Sequence, residues 1–240
     1  YVVWYYIVKS FGLGEKFDTD LMYESRGNIP AAEYYDKVYN GRWNALTIRS
    51  LAIGQGEILT TPIQLANLTA TIANRGYYIA PHLVKAIGSS SDTLNANRVK
   101  TRALVDEKYF EAIIEGMEKV TQVDGTAHRA ALDSISVCGK TGTVQNPHGK
   151  DHSIFIAFAP KDNPKIAIAV VVENAGDYGG TWAAPIASLM IEKYFYGEVK
   201  RTKKEKNRLL IMRSVLLIIR TQNIEKGGNT KKRGEKVPPF

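Results

Sequence analysis

The segment from residue 137 to residue 144, Val-Cys-Gly-Lys-Thr-Gly-Thr-Val, places one cation and two hydroxyl groups within four positions. On an extended strand, Thr141 and Thr143 project to one face and Lys140 and Gly142 to the other. Glycine leaves room for a ligand backbone to approach, and an edge strand offers free N–H and C=O groups to an extended peptide. The segment therefore predicts a peptide-binding strand, and the competing interpretation is a glycine-containing strand beside a turn.

Cysteine and histidine offer less chemistry. Cys138 is the only cysteine, so no disulfide can form within the chain and no cysteine-based zinc cage can be assembled. We expect it to be a small buried hydrophobe, because no base is identifiable beside it. His148 and His152 are four residues apart, but the Pro-His-Gly turn between them denies the helical ligand geometry. The sequence predicts no metal and no cofactor.

The chain has three strand-like runs, and the first of them contains the lysine segment. They are short, rich in β-branched residues and separated by Asn-Pro-His-Gly and Pro-Lys-Asp-Asn-Pro turns, at residues 135–144, 154–159 and 166–173. Short links between consecutive strands predict an antiparallel meander. A helix over 182–196, ending at Gly197, follows and should lie back on the sheet.

The preceding residues predict mainly helices and loops. Residues 1–10 indicate the end of a buried helix, residues 17–43 a long loop, 61–73 a helix with Thr61 as N-cap and Pro62 at its first position, and 106–120 an amphipathic helix. Short strands are expected at 77–79 and 82–87, with a polar loop over 88–97. The predicted fold class is α/β of the α+β type, an antiparallel sheet flanked by helices.

Charge is distributed unevenly along the 240 residues. The chain carries a net charge of +8, but residues 1–197 balance to −1 and residues 198–240 to +9. A globular nucleic-acid-binding domain would carry its positive charge on the surface of the folded domain, so nucleic acid is excluded as a partner. Residues 198–240 are expected to be a basic, poorly ordered tail, and the alternative is an amphipathic helix on an anionic membrane surface.

Several phrases occur in the order found in one family. The Lys-Thr-Gly triplet is a signature of penicillin-binding proteins and serine β-lactamases. The chain further resembles the transpeptidase domain of elongation-type class B penicillin-binding proteins over nearly all of residues 1–197. The phrases that carry the resemblance are Arg-Gly-Asn-Ile-Pro at 26–30, Ile-Gly-Gln-Gly-Glu at 53–57, Leu-Thr-Thr-Pro-Ile-Gln-Leu-Ala at 59–66, Gly-Thr-Ala at 125–127 and Ala-Phe-Ala-Pro at 157–160.

The resemblance implies a serine acyl-transfer enzyme of the D,D-peptidase fold. In this family, a serine attacks the D-Ala-D-Ala amide of a peptidoglycan stem peptide, and the acyl-enzyme then passes the acyl group to an amine on a neighbouring peptide. β-Lactams mimic the donor peptide and leave a stable acyl-enzyme. The implied partners are stem peptides, β-lactams and a membrane glycosyltransferase of the elongation machinery. The implied location is the cytoplasmic membrane, with the catalytic domain on its outer, periplasmic side.

The resemblance also implies roles for individual residues. Lys140 would face the substrate carboxylate and the proton-relay network, and Thr141 and Thr143 would hydrogen-bond that carboxylate. The backbone N–H of Thr143 would form half of the oxyanion hole, and Gly142 would admit the substrate backbone. Gln55 and Gly56 are further candidates for substrate binding. Against this, the Gly-Gln-Gly turn at 54–56 favours a structural role, in which it positions the following helix.

The chain departs from the family pattern at the nucleophile. No serine in the sequence is followed three residues later by lysine, so the Ser-x-x-Lys motif is absent from this chain. Ser-x-Asp occurs at 90–92, in the wrong order relative to the other phrases, which indicates coincidence. We therefore expect both motifs to precede Tyr1, the domain to be incomplete at its N-terminus and the chain alone to be inactive. Two alternatives share the fold: a non-catalytic β-lactam sensor or scaffold domain, and a serine β-lactamase.

Overall fold

The computed structural model describes residues 1–20, 22–84 and 99–199, together with the backbone of residues 214–220. Helices and strands alternate in blocks over this part of the chain. The α-helices are α1 (Val2–Ser10), α2 (Ala32–Tyr39), α3 (Pro62–Ala73), α4 (Phe110–Thr121) and α5 (Ala183–Tyr196). The strands are β1 (Tyr77–Ile79), β2 (Lys100–Arg102), β3 (Cys138–Val144), β4 (His152–Ala159), β5 (Ile166–Val172) and β6 (Ser214–Arg220). Short 3₁₀ helices cover Arg49–Ile53, Glu107–Tyr109 and His128–Ala130.

The main sheet has the order β3-β4-β5-β6, and every neighbouring pair is antiparallel. The predicted three-strand meander is therefore confirmed, with boundaries moved by no more than three residues. The register aligns Cys138 with Phe158 and Val144 with His152. Strand β5 lies between two partners, and all of its residues except Val171 are buried. This burial explains its continuous Ile-Ala-Val sequence.

Helices cover both faces of the sheet. On one face, Phe155 and Ile168 pack in a core with Ala187 and Ile191 of α5. On the other face, side chains of the opposite parity form a second core with α3 and α4. That core contains Ala70, Ala73, Phe110, Ile114, Met117, Cys138, Phe158 and Ala167. The two cores confirm the predicted α+β class, because alternating strand residues serve opposite helical layers.

Helix α3 begins where the sequence predicts. Thr61 is the N-cap and Pro62 follows it, and a reciprocal capping box joins Thr61 to Gln64. The Thr61 amide donates to Gln64 Oε1 at 3.0 Å, and the Gln64 amide donates to Thr61 Oγ1 at 3.4 Å. Gln64 is fully buried, and its Nε2 donates to the carbonyls of Glu15 and Arg26, both at 2.9 Å. One side chain thus ties α3 to two loops.

The prediction of a loop over 17–43 is wrong for α2. This eight-residue helix is anchored by Tyr35, which is fully buried and packs against the rings of Tyr1 and Trp43. The Tyr35 hydroxyl donates to Glu57 Oε2 at 3.0 Å, and burial together with this carboxylate raises the pKa of Tyr35. Because these partners are distant in sequence, the local pattern could not reveal them.

Helix α1 forms over 2–10 as predicted, but the expected burial is wrong. None of its residues is buried, and Val3 is 72% exposed, because no layer among the described residues covers that side of the helix. Strand β1 is confirmed at 77–79 and pairs with β2, which the sequence analysis missed. Residues 82–84 are not in a strand, and the rest of the predicted 82–87 strand and 88–97 loop lies outside the described residues.

The predicted poorly ordered tail contains a strand. β6 pairs with β5 along its whole length, from Val172 opposite Ser214 to Ile166 opposite Arg220. The expectation of disorder is therefore wrong for these seven residues, and so is the helical alternative. The Ser-Val-Leu-Leu-Ile-Ile-Arg sequence suits the position, because β5 would otherwise present a long apolar edge. No helix in the described part of the chain is long and apolar enough to cross a bilayer.

We expect Gln64→Leu to lower the free energy of unfolding of the full-length protein by about 3 kcal/mol, because two carbonyls and the Thr61 amide lose their partner. Urea denaturation measures the change. Gln122→Leu is the matched control, since Gln122 is exposed beyond the end of α4 and should change stability by less than about 0.5 kcal/mol. Equal stability of the two variants would contradict the proposed role of Gln64.

Candidate active site

Strand β3 lies at the end of the main sheet. Its only neighbour among the described residues is β4, so one of its two edges is open. Backbone groups alternate in direction along a strand, and every second N–H and C=O of β3 therefore faces that open edge. An extended peptide can pair with such an edge as an added strand. The lysine segment thus lies where the sequence analysis requires it, on an edge strand.

The side chains of β3 divide between two faces as predicted. Thr141 and Thr143 share a face with Phe155 and Ser153, their cross-strand partners, and this is the face that α5 covers. Lys140 lies on the other face, as does Cys138, which packs against α4. Gly139 lacks a side chain because a Cβ there would stand 2.3 Å from the Phe155 ring. The glycine therefore lets β3 run close over that ring.

Lys140 is exposed and reaches the open edge. Its Nζ donates a hydrogen bond of 2.7 Å to the carbonyl of Thr141. Because the ammonium is in solvent, it reaches this oxygen from the edge of β3 that faces away from β4. The carbonyl of Thr141 therefore points to the open edge. Thr143 is two residues further along, so its N–H points the same way. A cation and a free backbone N–H therefore lie on the same side of the strand.

Thr126 lies at the site, although the sequence did not predict it as a site residue. Its Oγ1 lies 3.4 Å from Thr141 Oγ1, within hydrogen-bonding distance. The loop that carries it is fixed by the Ala127 amide, which donates to the Val120 carbonyl at 2.8 Å. Gly125 is required there because a Cβ would lie 2.1 Å from the same carbonyl. The only sequence signal was the Gly-Thr-Ala phrase at 125–127.

Together, these groups can bind a carboxylate. Thr126 and Thr141 offer adjacent hydroxyl donors, Thr143 offers a third hydroxyl on the same face, and Lys140 supplies positive charge from the edge. Hydrogen bonds to an ionised acceptor are about twice as strong as those between neutral groups. The arrangement therefore favours a peptide ligand that ends in a carboxylate.

The predicted residues Gln55 and Gly56 lie elsewhere, in the turn between the 3₁₀ helix Arg49–Ile53 and α3. The Gln55 amide donates to the Ser50 carbonyl at 3.0 Å, and Gly56 has a positive φ of 75°. Within the described ranges, no hydrogen bond or ion pair joins either residue to β3. Their part in substrate binding stays a prediction. Glu57, which follows them, accepts the Tyr35 hydroxyl and so holds α2.

The histidines take part in backbone contacts rather than in a cluster. His152 Nδ1 accepts the Asn174 amide at 3.0 Å, which requires this nitrogen to be unprotonated. The His148 amide donates to Asn146 Oδ1 at 3.0 Å in the turn between β3 and β4. In the part of the chain that the structure describes, no three histidine, cysteine or acidic side chains are grouped to hold a metal.

Comparisons with known proteins match most of the chain to a known family. Residues 3–192 match the penicillin-binding protein transpeptidase domain. The chain is 33% identical over 219 residues to the peptidoglycan D,D-transpeptidase MrdA of Haemophilus influenzae, an alignment that covers 82% of this chain and 33% of that protein. The chain spans about a third of the length of the curated relatives that it matches.

Solved structures give the same result. The crystal structure of Pseudomonas aeruginosa PBP2 in complex with WCK 5153 is 33% identical, with a TM-score of 0.69 over 82% of this chain and 43% of that one. The complex of PBP2 and MreC from Helicobacter pylori is 27% identical, with a TM-score of 0.66 over 82% of this chain and 38% of that one. The likeness to PBP2 chains supports the predicted fold.

We expect Cys138 to be inert in the folded protein. It is fully buried, and burial, with a smaller effect of Glu118, raises the pKa of its thiol to about 12. At pH 8 only about one thiol in ten thousand is then ionised, and the thiolate is the reactive form. Iodoacetamide alkylation followed by mass spectrometry of the peptide that contains Cys138 should show modification only after unfolding. Alkylation of the native protein at the rate of a free cysteine would contradict this assignment.

Proposed function

This chain belongs to the penicillin-binding protein transpeptidase family, with elongation-type class B members among its relatives, and on that premise we propose that it is part of a peptidoglycan D,D-transpeptidase. The whole protein would cross-link stem peptides during cell elongation through a serine acyl-enzyme. The observation that carries the proposal is the open edge of β3, where Lys140 bonds the Thr141 carbonyl and the Thr141 hydroxyl lies beside that of Thr126. The nucleophile is not among the serines of these 240 residues.

The donor peptide binds along β3. Its backbone pairs with the open edge as an added strand, and its terminal carboxylate accepts hydrogen bonds from Thr141 and Thr143. Lys140 adds positive charge beside that carboxylate and supports the proton relay. Because Gly142 has no side chain, the donor backbone can lie directly against the strand.

Acyl transfer then proceeds in two steps. The serine hydroxyl gives up its proton to the relay that Lys140 supports, and its oxygen bonds to the carbonyl carbon of the penultimate D-Ala, while the negative charge that develops on the carbonyl oxygen is held by the Thr143 N–H. The C–N bond breaks, and the terminal D-Ala leaves as an amine after taking up a proton. In the second step the amine of a neighbouring stem peptide attacks the ester, loses a proton and releases the serine. A β-lactam stops after the first step, because its leaving group stays attached.

We further propose that residues 1–197 are the C-terminal part of the transpeptidase domain and that 198–240 form a basic extension, of which β6 joins the sheet. The proposed location of the domain is the outer, periplasmic side of the cytoplasmic membrane. Its proposed partner is a membrane glycosyltransferase of the elongation machinery. A PBP2 of Helicobacter pylori forms a complex with MreC, so a protein of that kind is a second candidate partner.

Labelling with a fluorescent penicillin tests the function. We expect the full-length protein to form a covalent adduct, and Lys140→Ala to slow its formation by about 100-fold, because charge stabilisation near the reacting centre is lost. Lys119→Ala is the control, since Lys119 is an exposed lysine that lies on α4 and not on β3. Rapid nitrocefin turnover would favour a β-lactamase, and labelling without cross-linking of a stem peptide would favour a sensor.

The hydroxyl of Thr141 gives a separate test of carboxylate binding. We expect Thr141→Val, which keeps the shape, to weaken the initial complex with penicillin by about 10-fold, because a hydrogen bond to a charged group is lost. Thr141→Ser retains the hydroxyl and should bind within about twofold of the wild type. The dissociation constant comes from the concentration dependence of the labelling rate. Equal affinity of the two variants would refute carboxylate binding by Thr141.

A further inference from the structure

We propose that the segment Asn174–Trp182, which we name the brace loop, holds β3 in its working position, and that Ser153 is the positioning residue that fixes this loop. The inference rests on the proposed function, because it names a group that acts on the same site without touching the substrate. The brace loop links the end of β5 to the start of α5.

Ser153 fastens the loop at two points. It is fully buried on β4, directly opposite Thr143 of β3. Its hydroxyl donates to the Tyr178 carbonyl at 3.1 Å and accepts the Ala183 amide at 3.2 Å. One buried side chain therefore joins the sheet to the middle of the brace loop and to the first turn of α5. Loss of the hydroxyl would leave both backbone groups without this partner.

Two glycines of the brace loop lie against neighbouring backbone, Gly179 against β3 and β4 and Gly180 against the loop that carries Thr126. A Cβ on Gly179 would lie 2.2 Å from the Ile154 carbonyl oxygen of β4, and 2.9 Å from the amide nitrogen and 2.8 Å from the carbonyl oxygen of Gly142, so the loop backbone is in direct contact with both strands. A Cβ on Gly180 would lie 2.1 Å from the Thr126 carbonyl. Both glycines are buried. The brace loop is thus wedged between the Gly142 backbone and the loop that carries Thr126.

The first part of the brace loop holds the turn that follows β3. Asn174 Oδ1 accepts from Asn146 Nδ2 at 2.8 Å, and the Asn174 amide donates to His152 Nδ1 at 3.0 Å. The Gly176 amide donates to the Asp151 carbonyl at 3.1 Å. The middle of this nine-residue segment therefore contacts β3, and its first residues form hydrogen bonds with the turn between β3 and β4.

The brace loop supports a strand that carries the site groups at the edge of the sheet. Among the residues that the structure describes, β3 has one strand neighbour, β4, yet Thr141, Thr143 and the Thr143 N–H must keep their positions within about 0.5 Å for acyl transfer. A misplacement of about 1 Å at a reacting group can slow a reaction by about 100-fold. The brace loop provides support that a second neighbouring strand would otherwise give, and it leaves the edge open for substrate.

The test uses the full-length protein, a fluorescent penicillin and four forms of the chain. Ser153→Ala removes the central attachment, and Asn174→Gly removes an outer one. Asn174 has a φ of 52°, so glycine preserves its backbone. Asn163→Gly is the matched control. Asn163 has a φ of 55°, and it lies in the turn between β4 and β5, where its side chain accepts from Lys165 Nζ at 3.2 Å.

We expect Ser153→Ala to lower the limiting acylation rate constant by about 10-fold and Asn174→Gly by about threefold, while the dissociation constant of the initial complex changes by less than about threefold. Asn163→Gly should acylate at the wild-type rate. Melting temperatures show which variants are folded at the assay temperature. Folded Ser153→Ala and Asn174→Gly proteins that acylate at the wild-type rate would overturn the proposal, and so would an equal loss in Asn163→Gly.

Hydrogen–deuterium exchange of residues 138–144 gives a readout that does not depend on acylation. The amides of β3 should exchange faster in Ser153→Ala and Asn174→Gly than in Asn163→Gly. Failure of the wild-type protein to label would refute the proposed function alone, because exchange would still decide whether the brace loop holds β3. Unchanged exchange in both brace variants would refute the inference while leaving the function intact.

Discussion

Strand β3 is bound to the rest of the sheet through the hydrogen bonds of β4, and the chemistry of the site depends on this one-sided attachment. The proposed binding of an extended peptide requires an open edge, because an added strand pairs with free N–H and C=O groups. An edge strand, however, lacks the hydrogen bonds to a second neighbour that hold an interior strand in place. The structure compensates on the two faces, where α4 packs against Cys138 and the brace loop lies against Gly142.

Buried polar side chains do much of the connecting work between elements. Gln64 joins α3 to the loops at Glu15 and Arg26, Asn67 Nδ2 donates to the Phe11 carbonyl at 3.0 Å, and Ser153 joins β4 to the brace loop. Each is fully buried and supplies donors or acceptors to backbone groups that lie outside regular structure. Loops can be packed against the core in this way because their backbone groups find partners there.

The charge of the protein is organised for a local rather than a global effect. Residues 1–197 are nearly neutral, so no broad positive field draws anions to the body. Lys140 is an exposed cation at the edge of β3, and its ammonium donates to the Thr141 carbonyl, while the Thr141 hydroxyl lies beside that of Thr126. In the proposed function, recognition of the carboxylate depends on contacts at β3, and the excess positive charge belongs to residues 198–240.

Local signals in the sequence predict the Thr61 cap and Pro62 start of α3, the amphipathic α4, the three-strand meander, and the Lys-Thr-Gly-Thr strand with its alternating faces. The remaining features depend on contacts between distant parts of the chain. Helix α2 depends on the burial of Tyr35 by distant rings, β6 on an edge of β5 that exists only in the sheet, and the pairing of Thr126 with Thr141 on a loop that crosses from α4. Hydrogen bonds and contacts between residues far apart in the chain leave no periodic trace in the sequence, and so Ser153 resembled any other strand residue until the fold brought the brace loop to it.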